Sequence, residues 1–434
     1  MKKEFLKYVI PSMITFLVTG IYVSIDGFFV GQAVGDIGLA SVNVAWPLAA
    51  LILAIGTGIG MGGAVNISNH MGADEKEKAN RAFGNTMVVL LLAAIGITAF
   101  LLIFGRPLLR LMGAEGEMLE LSYGYLEILA YGAVFQVCGA GIPSLLRNRN
   151  KAWVAMAVML LNFTVDTTLS GVFVMVLGLG VKGAALATVI GEGIALISAL
   201  FILFKKDSRV SASCFKLCKE TVGYILKCGL PIFGLSFIPS FTTMVINRQV
   251  ITYGGTEAVA AFAVASYVLS IGQLLLQGVG EGSQPLISFY HGANDIKTVK
   301  LLRRWTYGTG IVLSIAILVG IQLLRNFIPT FFGVSEQTAA VLQIALPICA
   351  ASLPLYGFSR ITTEYFNAIK KSRDASIMVY GEAFLLLPVC AILLPVFYGL
   401  NGVWSAIVLV QFLLLLVGIG LRMKDRRFAA AQPS

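Results

Sequence analysis

Charge is what this chain has least of. Asp, Glu, Lys and Arg together make up 12% of it, against about 25% in an ordinary soluble domain. A water-facing surface cannot be covered with so few charges. Apolar residues fill the gap, at 57% where about 45–50% is usual, and mean hydropathy is +0.86. The composition is that of an integral membrane protein. Histidine is also scarce: only His70 and His291 occur, in corresponding loops, and both read as interfacial rather than catalytic. The six cysteines (138, 214, 218, 228, 349, 390) fall in apolar spans or on the cytoplasmic side, where disulfides are not expected. No histidine pair stands near Cys214 and Cys218, so that spacing does not predict a metal site. P-loop, nucleophile-elbow and metalloprotease motifs are missing as well. The chain is therefore expected to be no enzyme and to carry no ATPase or cofactor of its own.

What the chain does have is apolar runs. Its 434 residues accommodate roughly a dozen spans of about 20 residues. The pattern predicts an all-α membrane protein of twelve transmembrane helices near 7–30, 41–68, 83–105, 119–146, 153–177, 183–204, 222–251, 260–290, 302–325, 337–368, 376–397 and 402–422. Polar and turn segments such as "NHMGADEKEKANR", "RNRNK", "HGAND" and "KKSRD" separate them. The amino-terminal stretch "MKKEFLKYVIPSMITFLV" imitates a signal peptide, but it is too long and no small-residue cleavage site follows.

The net charge of +10 is explained by position, not by nucleic acid. Of 32 basic residues, 26 lie at the termini and in the even-numbered connections, Lys76, Lys78, Arg147, Arg149, Lys205, Lys206, Lys370 and Lys371 among them. This is the positive-inside bias, which places both termini in the cytoplasm. The basic clusters fix topology and touch anionic lipid headgroups.

The sequence also repeats itself. "GMGGAVNISNHMGA" at 60–73 aligns without a gap on "GEGSQPLISFYHGA" at 280–293, an offset of 220 that also pairs Pro11 with Pro231 and Gly35 with Gly255. Near the ends of the halves the offset slips to 219, pairing Gly180 with Gly399 and Ala187 with Ala406. Two pseudo-symmetric six-helix bundles are expected: residues 1–205, then a cytoplasmic linker at 206–221, then 222–424, with a tail at 425–434. Six spans per unit is an even number, so both halves run the same way through the membrane, a known transporter arrangement.

Polar side chains in the spans locate a cavity. Thr15, Thr19, Tyr22 and Asp26 form one stripe on the first helix. Asn162 and Asp166 stand one turn apart on the fifth, so Asn162 is expected to orient Asp166. Gln273, Gln277, Glu281 and Gln284 make a stripe on the eighth helix, with Asn247 on the seventh and Tyr356, Arg360 and Glu364 on the tenth. Glu382 is the repeat counterpart of Asn162, and Glu127 and Glu192 have no evident assignment. A charge at the bilayer centre costs about 2.5–3.5 kcal/mol on insertion scales, so such residues face a bundle interior and mark substrate or ion paths. The competing interpretation is structural: neutral acids bonded within the bundle, Arg360 and Glu364 neutralising each other, and hydroxyl and amide stripes holding helices together. Burial disfavours a carboxylate's charge, so a membrane acid can load and release a proton; ionised, the same oxygens can ligate Na⁺.

At these residues the chain resembles the multidrug and toxic compound extrusion (MATE) family, in its bacterial MepA-like branch. The segments are "SIDGFFVG" (24–31), "LLRNRNKAWVAMAVMLLNFTVD" (145–166), "LGLGVKGAALAT" (177–188) and "GSQPLISFYHGA" (282–293), in order along nearly the whole chain. The resemblance implies a secondary antiporter exporting organic, often cationic, small molecules against entry of H⁺ or Na⁺; the protein is expected to work as a monomer in a bacterial cytoplasmic membrane. It also implies a cation site at Asp26, Asn162, Asp166 and Thr188; the polar stripes themselves make Thr19, Tyr22, Asn247, Gln273, Gln277, Glu281, Tyr356 and Glu382 the candidate substrate contacts. One departure is visible: the proline usual after the fifth-helix aspartate is Thr167 here. The rival readings are a lipid-linked oligosaccharide flippase, which would favour a cationic cavity, and a channel, which would show flux without saturation.

Overall fold

The computed structural model describes the backbone of residues 1–203, 212–332 and 335–430, and their side chains except 21–28, 31, 36, 212–213, 240, 256 and 424–430. Helices follow one another with short turns, and no strand occurs among the described residues. The first repeat runs α1 (2–34), α2 (Ile37–Gly72), α3 (Lys76–Leu111), α4 (Gly116–Tyr131 and Ala133–Asn148), α5 (Ala152–Ser170) and α6 (Gly180–Leu203). The second runs α7 (Lys219–Gly255), α8 (Glu257–Gly292), α9 (Ile296–Leu324), α10 (Glu336–Ala350 and Ser352–Ala368), α11 (372–398) and α12 (400–430). Among the described residues nine helices are long and apolar enough to cross a membrane, or ten if the two bent halves of α4 count as one span.

The repeat is written into the backbone. Gly35 separates α1 from α2 at φ 71°, ψ −157°, and Gly255 separates α7 from α8 at φ 68°, ψ −163°. That region is essentially reserved for glycine. The same correspondence joins Asp74 to Asn294 (both φ 58°) and Gly180 to Gly399 (both φ 56°). A Cβ at Gly35 would meet nothing within 4 Å, so replacing it tests backbone strain alone. Gly35→Ala is expected to destabilise by about 1–3 kcal/mol, seen as a lower melting temperature in detergent; an unchanged melting curve would contradict the assigned turn geometry.

The helices outrun their apolar cores. The third is predicted over 83–105 but spans Lys76–Leu111, because the polar turns at its ends are themselves good helix formers. The fourth, predicted as one piece, bends by 62° at Gly132. The carbonyls freed there are not left bare: Thr98 Oγ1 donates to Ala130 O at 2.9 Å and Gln136 Nε2 to Leu129 O at 3.0 Å. Large apolar side chains point outward along α3, including Leu92 (54% exposed), Ile95 (62%) and Ile103 (65%). An apolar outer face of this kind is solvated by lipid.

The chain forms two compact units: residues 1–237 with 285–296, and 238–284 with 297–434. Within the first, Phe83, Ile52, Met61, Leu90 and Leu129 are fully buried. The linker region is held down: Asn85 Nδ2 donates to the carbonyls of Cys214 and Lys216, and Asn85 Oδ1 accepts from the Cys218 N–H at 2.7 Å. The ends of α2 and α8 also meet inside this unit. A Cβ at Gly72 would overlap the Phe289 carbonyl oxygen, one at Gly292 would overlap that of Asn69, and His291 Nδ1 lies 2.8 Å from Asn69 Oδ1. His70, in the corresponding loop, pairs instead with Glu75 at 2.6 Å. Lys78 first, and then His70, hold the Glu75 carboxyl below its ordinary range. In the second unit Trp404 is fully buried and stacks on Phe262 at 5.9 Å.

Candidate functional site

A cluster of polar groups in the first unit lies where α5 packs on α6. Asp166, 1% exposed, is at its centre. Ser170, one turn further along α5, places its Oγ 3.4 Å from Asp166 Oδ1, and Thr188 of α6 places its Oγ1 3.5 Å from the same oxygen. Both are long beside the usual 2.5–3.0 Å of an O–H···O bond, and Thr188 makes a shorter contact to the Ala184 carbonyl, 3.2 Å. The hydroxyls therefore stand around the carboxylate without closing tightly on it. Just beyond Ser170 the helix widens into a π turn, Gly171–Val176, an irregularity common at functional sites.

Gly191 brings the two helices together here. A Cβ at that position would lie 2.7 Å from Asn162 Oδ1 and 3.0 Å from Asp166 Cβ. Asn162 belongs to the cluster, but the partner its amide reaches differs from the expected one. Its Nδ2 donates to Glu192 Oε1 at 3.0 Å. The i, i+4 spacing places Asn162 and Asp166 on one face of α5, yet the side chain extends across to α6, where an acceptor is in reach. Of this site, sequence reading leaves out Ser170 and leaves Glu192 without an assignment. Each is four residues from a candidate, Glu192 from Thr188 and Ser170 from Asp166, and that spacing is the signal that points to them.

The structure thus brings Asn162, Asp166 and Thr188 together. Asp26 and Tyr22 lie outside the described residues. Thr19 spends its hydroxyl on the Thr15 carbonyl at 2.9 Å.

In the second unit Gln277 Nε2 donates to Glu281 Oε1 at 2.9 Å, and Glu281 is 7% exposed. Glu382, which opens the π turn Glu382–Leu386, accepts from Gln411 Nε2. Arg360 (5% exposed) and Glu364 (2%) approach to 4.0 Å, a buried pair of opposite charge. Asn247, Gln273 and Tyr356 are half-buried.

Chemically, the first-unit site offers hard oxygen ligands only: two carboxylates, an amide oxygen and two hydroxyls. Such a set suits a proton or a small monovalent cation, not a soft metal.

Several known transporters are similar to this chain in sequence and fold. Multidrug export protein MepA of Staphylococcus aureus (strain N315) is 26% identical over 414 residues, covering 94% of this chain and 90% of that protein. Its namesake in Staphylococcus haemolyticus (strain JCSC1435) is 24% identical over 409 residues, with the same coverage of both chains. Among solved structures, an outward-facing multidrug resistance MATE family transporter of the MOP superfamily superposes with a TM-score of 0.93 at 26% identity, over 99% of this chain and 97% of that one. A MOP superfamily transporter from Pyrococcus furiosus, described as having a binding pocket of reverse polarity, superposes with a TM-score of 0.92 at 26% identity, over 100% and 97%. These relatives are named as transporters, not as enzymes. The MatE family model matches residues 11–172 and again residues 231–392, two segments with the same spacing as the internal repeat. Matched twice, over more than half of its length, the chain belongs to the MatE family.

Proposed function

We propose that this protein is a secondary antiporter that exports amphipathic organic cations by alternating access, in exchange for protons taken up at Asp166. The observation that carries the proposal is the nearly complete burial of Asp166 among hydroxyl and amide groups, in a helix whose surroundings are apolar. A membrane acid without a transport role would be costly to keep. Asp26 of the first helix is read as a further coupling acid. The export of drugs by the similar MepA proteins supports the substrate class. Acids also supply most of the charge in the candidate positions, Asp26, Asp166, Glu281 and Glu382. Opposite charge attracts strongly in a low dielectric, while apolar walls supply the burial energy. In this reading the protein works as a monomer in a bacterial cytoplasmic membrane, and the basic residues of its termini and even-numbered connections favour both termini inside. The oxygen-only ligand set also favours a second reading in which Na⁺ replaces the proton at the same residues.

Everted vesicles loaded with the protein and given ethidium distinguish these. A pH gradient imposed without sodium is expected to drive ethidium transport, and a Na⁺ gradient at equal pH is not. The reverse result assigns sodium. Transport under neither gradient would refute the antiporter. Expression in an efflux-deficient host is expected to raise resistance to organic cations; resistance confined to anionic compounds would overturn the substrate class.

A further inference from the structure

The second repeat carries its own version of the Asn162–Glu192 pair, with the residue types exchanged. Glu382 corresponds to Asn162 at an offset of 220, and Gln411 corresponds to Glu192 at 219, the same slip that pairs Gly180 with Gly399. In the first unit the amide on α5 donates to the acid on α6, Asn162 Nδ2 to Glu192 Oε1. In the second the amide on α12 donates to the acid on α11, Gln411 Nε2 to Glu382 Oε1. Both amides leave the same atom over. Asn162 Oδ1 and Gln411 Oε1 are buried with no hydrogen-bond partner among the described residues. The rest of the site is not repeated: Leu386 stands at the counterpart of Asp166 and Ile407 at that of Thr188. The amide–carboxylate bond is thus the part common to both units, and the ligand groups around Asp166 belong to the first alone.

A primary amide is nearly symmetric in shape, and only its partners decide which end faces which way. Glu192 Oε1 accepts from the Asn162 NH₂ and so holds that end of the amide. Oδ1 is left against Gly191, where a Cβ would also come within 3.0 Å of Asp166 Cβ. An unpartnered carbonyl oxygen in an apolar interior is costly unless something binds it in another state of the cycle. Gly139 completes the arrangement, since a Cβ there would overlap Glu192 Oε2. We infer that Glu192 is a positioning residue for ion coupling: it fixes the Asn162 amide so that Oδ1 is presented, beside Asp166, as a ligand for the coupling cation. Glu192 is not itself the carrier. The inference rests on the reading of Asp166 as the coupling acid.

The test measures ethidium efflux from vesicles against increasing concentration of the coupling ion, with drug affinity and membrane abundance measured in parallel. Removing an outer-shell partner of an ion ligand typically costs about 10–100-fold in affinity. Glu192→Leu is expected to raise the half-maximal ion concentration by at least about tenfold, with abundance and ethidium affinity unchanged. Glu192→Gln keeps an acceptor for the amide and is expected to stay within about threefold of the parent, well under the loss of a whole partner. Glu192→Leu added to Asn162→Ala is expected to be no worse than Asn162→Ala alone, because one acts through the other. The inference is overturned if Glu192→Leu shows parental ion dependence, if Glu192→Gln is as impaired as Glu192→Leu, or if the double variant is further impaired. Normal gradient-driven efflux in both Asp166→Asn and Asn162→Ala would instead remove the coupling site itself.

Discussion

Asp166→Asn is expected to abolish gradient-driven efflux, by at least about 100-fold, a coupling free energy near 3 kcal/mol, while the protein still inserts and folds. Asparagine keeps the size of the side chain and an oxygen within reach of Ser170 and Thr188, so α5 and α6 lose no packing. What disappears is the Asp166 charge that the coupling cation neutralises. A ligand that binds both states of a transporter equally shifts neither, so without that charge the ion gradient has nothing to act on. Drug binding in the absence of a gradient is expected to persist. Asp26→Asn should impair transport as well, and the two changes together should be little worse than one, as for residues acting as a unit. Efflux rates and detergent melting curves measured side by side check this; full activity in Asp166→Asn would defeat the assigned role.

Gly72→Ala and Gly292→Ala are expected to cost about as much by a different route. Each new Cβ would overlap a backbone carbonyl, that of Phe289 or of Asn69, and a backbone cannot swing aside as a long side chain does. The ends of α2 and α8 would have to separate, and the contact of His291 with Asn69 would be lost with them. Overpacking costs about 1–3 kcal/mol and occasionally more, and the upper value corresponds to roughly 100-fold in an equilibrium. A marked drop in melting temperature together with lost efflux is expected from either variant. Gly308→Ala serves as the control. Gly308 is an exposed helical glycine with nothing within 4 Å of its Cβ position, and there alanine is expected to stabilise slightly. Equal behaviour of all three variants would show that the contact of α2 with α8 carries no weight.

Much of this architecture is legible in the sequence, for identifiable reasons. The 220-residue offset is visible because glycine and proline mark backbone positions rather than surfaces, and Gly35 and Gly255 adopt the same unusual conformation. The apolar runs locate helices because the bilayer leaves a backbone no other partner. Their lengths are less legible. Hydropathy reports the solvent around a helix, while hydrogen bonding continues past the lipid, as in α3. The bend at Gly132 is hidden because its repair comes from Thr98 and Gln136, which are ordinary hydroxyl and amide residues in the sequence. Helical spacing places Asp166 and Asn162 on one face. It does not show that the Asn162 amide crosses to Glu192, since the partner lies on another helix.

The membership of the first compact unit sets an order on synthesis. Its last piece, residues 285–296, is separated from the body of the unit by most of α7 and α8. When a ribosome has delivered the first repeat and its linker, that unit still lacks both the start of α7 and the end of α8. The contacts between Asn69 and His291, and between Gly72 and Phe289, close a loop of more than 200 residues. Contacts so distant along the chain are slow to form, and the surfaces awaiting them stay exposed meanwhile. A chain cut within the linker would thus yield an amino-terminal fragment with an unfinished unit, and co-expression with the second fragment should be needed to complete it.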